Sequence, residues 1–308
     1  MSYDLYFYKR QNQQISKSDI SNYLTINLCP ANEQENQWFY ENDDTEVYFS
    51  FDLNEPETAP EAIELETVLG FDYTQFSFNL NFLRPDFFGR EAFLFVDQMI
   101  GDLNLYVVNP QSATDEEEPT QPEKGELYKD WSEINARHSA HFYEELELNY
   151  YPLPASNAVW KHNFNKGQIQ VKLGEEYFVP KVMVLQTIAD KRIVTLSVWP
   201  EGLPILVPQV DYYLLVKRYK KFVKEVEESG LISAKTFQMH FGGFVSDSDA
   251  GKVIHPADAN GLQKLFNSVK FDGEISGFAE KLPFEKMVNV IPAADEDGFS
   301  QKIMTALD

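Results

Sequence analysis

A chain of 308 residues, 43% of them hydrophobic, carries enough apolar surface for one or two ordinary cores, which excludes global disorder. Its 49 acidic residues outnumber 26 basic ones and leave a formal charge of -23. A field of that sign disfavours phosphate backbones and anionic membrane surfaces, so neither nucleic acid nor membrane is an expected partner, whereas a basic protein is compatible with it.

The opening Met-Ser-Tyr-Asp-Leu-Tyr lacks a basic n-region and a long apolar h-region, and no apolar run approaches the length of a membrane span. The expected location is therefore cytoplasmic. Residues 3 to 8 read as a strand, and Ser16 with Asp19 marks a helix start whose apolar stripe is Ile20, Tyr23, Leu24 and Leu28. Cys29 is the only cysteine, so no intrachain disulfide forms; it reads as a small buried hydrophobe before Pro30.

Trp38 to Glu41 and Glu46 to Leu53 read as strands paired about Asn42-Asp43-Asp44. The stretch from Glu55 to Gly70 begins as a proline-containing loop, with a short helix over Ala62 to Leu69. Gln75 to Leu83 alternates, Phe87 to Ile100 has helical period, and Leu103 to Val108 closes the set. The order β-α-β-β-β-α-β is a βαβ unit split by a hairpin, the ferredoxin-like plan with one extra strand. The expected fold class is α+β, with helices on one face of an antiparallel sheet over residues 1–110.

Residues 111–126 hold two prolines, a run of glutamates and no strong apolar residue, the composition of a solvated linker. The remainder, 127–308, reads as a second mixed α+β region. It opens with a helix over Leu127 to Leu148, followed by strands over Gln168 to Leu173, Phe178 to Gln186 and Arg192 to Trp199. The proline-rich stretch Pro200 to Pro208 reads as a crossing loop or edge strand. A long helix over Val210 to Ser229 ends at Gly230; further on come a helix near Ala257 to Ser268, a hairpin about Asp272-Gly273 and a closing helix over Phe299 to Leu307.

Chemistry-bearing patterns are sparse. His138 and His141 stand at i and i+3 on a helix, with Glu145 a turn further on, the best approximation to a metal set. His138 also continues the apolar stripe of Trp131, Ile134 and Phe142, which makes it a core histidine by period. Asp247 to Gly251 and Asp295 to Gly298 miss the calcium-loop spacing, and no phosphate loop or nucleophile elbow occurs, so no cofactor is expected. Against the overall charge, Lys217, Lys220, Lys221 and Lys224 fall on one face of the helix expected there, a candidate contact for an acidic group or a solvated face paired with the chain's own carboxylates. In Arg84-Pro85-Asp86-Phe87, Pro85 ends a strand, Asp86 is placed to cap a helix, and Arg84 has Asp86 or Glu91 within reach as a partner.

The opening Met-Ser-Tyr-Asp-Leu-Tyr-Phe, the phrase Asn81-Phe82-Leu83-Arg84-Pro85 with Phe87-Phe88-Gly89, and the close Tyr106-Val107-Val108-Asn109-Pro110-Gln111 resemble a group of uncharacterised acidic bacterial proteins that begin in the same way. The resemblance covers the first 110 or so residues. Some small acidic bacterial proteins with similar openings are accessory or immunity proteins of toxin systems, and the resemblance carries no site residues with it. The expected function is a non-catalytic protein-binding module that masks a partner; the alternatives are an enzyme with a site assembled from distant residues of the second half, and a scaffolding protein.

Overall fold

The chain forms two units, residues 1–156 with 284–308 and residues 157–283. A computed structural model describes residues 1–54, 68–111, 118–221 and 224–292. The fold class is α+β.

In the first unit, alternation of large apolar and small polar residues produces the sheet. Its elements are β1 (Ser2–Arg10), α1 (Lys17–Asn27), β2 (Gln37–Glu41), β3 (Tyr48–Leu53), β4 (Phe71–Asn81), α2 (Phe87–Leu103) and β5 (Tyr106–Val108). All pairings are antiparallel, in the order β2-β3-β4-β1-β5. Removing the edge strand β2 leaves the split βαβ arrangement anticipated from the element order. Leu5, Phe7, Phe51, Phe76 and Phe78 point to one face and are buried there with Leu24 of α1 and Phe93 and Val96 of α2. Tyr23 of α1 also meets the ring of Phe95 of α2, so both helices share that face. The opposite face is polar: Asn79 donates to Asp4 (2.6 Å), Ser50 to Asp52 (2.9 Å) and Gln37 to Asp52 (2.7 Å).

The capping expected at Ser16 is present in full, with Ser16 and Asp19 each bonding the other's backbone N–H. The cap expected at Asp86 is not. Asp86 has helical backbone and its carboxylate makes no capping bond; it takes Arg90, Tyr128 and Ser132 instead. Arg84 pairs with neither Asp86 nor Glu91. It donates to Tyr48 Oη (2.5 Å) and to the carbonyls of Phe82 and Leu83, and lies 3.5 Å from Glu285. Glu91 is buried and accepts from Tyr40, Asn42 and Thr45, which ties the β2–β3 turn to α2.

The same unit continues through α3 (Glu126–His141) and β6 (Asn149–Tyr150) and is completed by β15 (Met287–Val288), which pairs in parallel with β6. The boundary between units therefore falls within α4 (Leu153–Phe164) and again at 283/284, not at 111–126. Residues beyond 117 return to the first sheet, where Thr120 bridges to Val107. Helix α3 stops at His141 and turns follow to Glu147, so the helix expected to Leu148 is shorter.

The second unit has a sheet ordered β11-β10-β8-β7-β14, from β7 (Val182–Thr187), β8 (Ile193–Pro200), β10 (Tyr212–Lys221), β11 (Lys224–Ser233) and β14 (Ala279–Lys281). A smaller sheet joins β9 (Ile205–Leu206), β12 (Val245–Ser248) and β13 (Gly251–Ile254). Trp199, Leu215, Ile232 and Phe237 form its core with Phe241 of α6 (Ala234–Phe241) and Leu262 and Phe266 of α7 (Ala259–Ser268).

Three elements of this unit differ from the sequence reading. The strand expected over 168–173 is helix α5 (Lys166–Leu173): Ile169 and Leu173, one turn apart, pack beside Val179, Leu206 and Val253, while Val171 on the far side stays 85% exposed. Residues 271–273 form no hairpin; they lie along β11, with Gly273 bridged to Leu231. The long helix expected over 210–229 is the β10–β11 hairpin. The segments 62–67 and 299–307, both expected to be helical, fall outside the described residues, as does Asp295 to Gly298.

Candidate functional site

The sequence Tyr212-Tyr-Leu-Leu-Val-Lys-Arg-Tyr-Lys-Lys alternates between two faces once it is extended, and that alternation decides where each charge goes. Tyr213, Leu215 and Lys217 turn inward and are buried. Lys217 is 4% exposed; its Nζ donates to the carbonyls of Val269 (2.6 Å) and Asn267 (3.3 Å) and sits 4.2 Å from the centre of the Phe271 ring. Burial pulls its pKa down, and Glu228 opposite offsets part of that. Arg218, on the other face, donates to Glu227 (2.8 Å) and Glu201 (3.1 Å), which raises its pKa.

The helical face expected to gather Lys217, Lys220, Lys221 and Lys224 is not formed, because residues 212–233 are a hairpin. Lys217 is a structural donor inside the unit, and Lys220, Lys221 and Lys224 are spread over two strands, with Lys220 in register with Glu225 and Lys221 with Lys224. The side chains of these last three lie outside the description.

Strand β10 pairs with β8 only as far as Val216↔Pro200, so the hairpin runs beyond the sheet as a two-stranded ribbon. The outer edge of β11 is closed at its base: Leu231 N–H donates to Gly273 O (2.8 Å), Leu231 O accepts from Asp272 N–H (2.7 Å), and Ser233 N–H donates to the Asp272 carboxylate (2.8 Å). In an antiparallel ladder alternate residues direct both main-chain groups outward. With Leu231 outward and the register continuous, Ser229, Glu227 and Glu225 also turn their N–H and C=O groups away from β10. Among the described residues these groups have no backbone partner.

Around that open edge the side chains are acidic. Glu225, Glu227, Glu228 and Ser229 are exposed. Glu225 and Glu227 share a face with Arg218; Glu228 lies on the other and accepts from Tyr219 Oη (2.5 Å), which raises the Tyr219 pKa. Glu201, Arg218, Tyr219, Glu225, Val226 and Glu227 line an open concavity of about 570 Å³. The arrangement offers a strand of hydrogen-bonding groups flanked by carboxylates, a geometry for an extended basic chain.

The other sequence candidates lie in the first unit. His138 stacks on Phe142 and lies 4.9 Å from the Phe82 ring, so it continues the apolar stripe; burial lowers its pKa. His141 packs edge-on against Phe142, and Glu145 lies in the turns after α3. No cluster of three or more His, Cys, Asp or Glu side chains suited to a metal occurs among the described residues. Cys29 is half-buried, and burial raises its pKa, which keeps it a thiol. Among the described residues no helix is long and apolar enough to cross a membrane.

The edge of β11 was missed because 3.6-residue spacing of the lysines masked a two-residue alternation. The available signal was Glu-Val-Glu at 225–227 together with the buried-strand composition of 212–216. No protein-family model, curated protein or solved structure matches this chain.

Proposed function

We propose that this protein is a non-catalytic recognition module that takes a basic segment of a partner protein, in extended form, along the open edge of β11. One observation carries the reading. The outward main-chain groups of Glu225, Glu227 and Ser229 coincide with exposed carboxylates on the same strand, in a chain of net charge -23. In strand addition the main chain supplies affinity and alternate side chains supply register. A partner strand with Lys or Arg at alternate positions sets its charges against Glu225 and Glu227. A second copy of β11 fits poorly, because antiparallel self-pairing brings glutamate against glutamate.

The first 110 residues resemble uncharacterised acidic bacterial proteins, some of them of accessory or immunity type, and proteins of that type act by covering a partner's surface, which agrees with this reading. Capture from extract of the native host, followed by identification of the retained protein, tests it with two variants. Glu225→Lys/Glu227→Lys reverses the charge; Ser229→Pro removes one outward N–H, a change an edge strand tolerates when that N–H faces solvent. A partner retained by the native chain and released by both variants is the expected result. Equal retention by all three chains sinks the edge assignment, and no retained protein at low or moderate salt sinks the recognition role.

A further inference from the structure

The lane beside the outer edge of β11 is filled at one end and open beyond it. Residues 271–273 occupy it antiparallel to β11, with Leu231 N–H donating to Gly273 O (2.8 Å) and Asp272 N–H to Leu231 O (2.7 Å). Before this contact, Val269 and Phe271 pack with the cluster that holds Leu215 and Ile232; after it, Ile275 and Phe278 pack with the cluster that holds Tyr212, Leu214 and Leu231. Those clusters lie on opposite faces of the sheet, because successive side chains along β10 and β11 alternate. The chain therefore wraps the edge of β11 at Leu231 and leaves the lane after Gly273.

That wrap is a wall for any strand added further along. The first open position stands opposite Ser229, and a chain continuing straight past it meets Gly273. An added strand has to end there or bend sharply away, and a chain terminus ends without a bend. An antiparallel strand begins at the wall, its first residue opposite Ser229; a parallel strand finishes there with its carboxylate. Charge separates the two. Asp272 and Glu274 flank Gly273 and both are exposed. They repel a terminal carboxylate and attract a terminal ammonium.

Given strand addition at this edge, on which the step rests, we propose that β11 captures the free N-terminus of a basic polypeptide, running antiparallel from Ser229 towards the hairpin tip. The ammonium donates to Ser229 O and lies beside the acidic wall, a main-chain form of amine capture. Direction then fixes register. The partner's third and fifth residues stand opposite Glu227 and Glu225 and are Lys or Arg; its fourth, on the other face, stands opposite Val226 and is apolar. Arg218 already lies between Glu201 (3.1 Å) and Glu227 (2.8 Å), so a cation at the third residue continues a row of alternating sign across the ribbon.

Calorimetric titration of the full chain with three synthetic peptides, at neutral pH and low salt, decides the matter. The first is Ser-Thr-Lys-Val-Lys-Thr-Gly amide with a free N-terminus. The second is the same peptide N-acetylated, with one more lysine at its C-terminal end to restore the net charge. The third keeps the free N-terminus and moves the two lysines to the second and fourth positions. The first is expected to bind about tenfold more tightly than either of the others, and Glu274→Gln is expected to narrow its lead over the acetylated peptide. Acetylated peptide binding as tightly as the free one, or the shifted lysines binding as tightly as the first arrangement, overturns this assignment and leaves strand addition standing. No binding of any of the three sinks strand addition as well.

Discussion

Lys217 shows how a side chain's surroundings override what its spacing suggests, and His138 how an apolar stripe claims a residue that could otherwise serve as a ligand. Lys217 was one of four lysines that a helix would have gathered on a surface; in the strand it faces inward and holds the single stretch 267–271, through the carbonyls of Asn267 and Val269 and the Phe271 ring. Lys217→Met keeps the volume and leaves two carbonyls without their donor, so unfolding by urea is expected to show a loss of about 1–3 kcal/mol. His138, held between Phe82 and Phe142, has its pKa lowered first by burial and then by Arg137, His141 and the N-terminus. The unfolded chain therefore takes up a proton near pH 6.5 that the folded chain resists, and this part of the stability, present above that pH, declines as pH falls below it. His138→Phe is expected to flatten the fall in urea midpoint between about pH 7 and pH 5, and an unchanged slope contradicts the assignment.

At the scale of elements, the first sheet was legible because its strands bury one face only, so Phe76, Phe78 and Leu80 alternate with Ser77 and Asn79 in the sequence itself. Helix α2 was legible for the same reason at a different period. The close fit of α2 against α3 was not: Gly89 sits where a Cβ would come within 2.3 Å of the Trp131 ring, a contact that no local pattern announces. Gly89→Ala is expected to cost about 1–3 kcal/mol or more, because neither helix can retreat without opening the core; a thermal midpoint equal to that of the native chain contradicts it. In the second unit the base of β10 packs on both faces, Tyr213 and Leu215 on one and Tyr212 and Leu214 on the other, so its apolar residues run together, and lysines at 217, 220, 221 and 224 supplied a false helical period. The same ambiguity turned α5 into an expected strand, since Ile169, Val171 and Leu173 alternate whether or not Val171 is buried. The candidate edge of β11 stayed hidden with the strand that carries it, whereas the hydrogen bonds gathered on Asp86 could not be read at all, being drawn from residues 86–90, 128–132 and 289.

For the molecule as a whole, the excess of 23 negative charges sets a test of the recognition role that no single residue provides. Binding of a basic partner is expected to weaken steadily with added salt, as screening shortens the reach of surface charges to about 8 Å near physiological ionic strength; salt-independent affinity contradicts it. The order of units along the chain bears on stability and on biosynthesis. Met287 and Val288 are fully buried and pair with β6, while Phe284 meets Phe87 and Phe88. Met287→Ala is accordingly expected to cost about 2–5 kcal/mol, read as an earlier unfolding transition. A ribosome delivers residues 1–156 before 157–283, and only afterwards the piece from 284 on that completes the earlier unit. Until that piece emerges, the nascent polypeptide carries an unfinished apolar patch around Phe87 and Phe88, so the unit begun before 157–283 is sealed only after it.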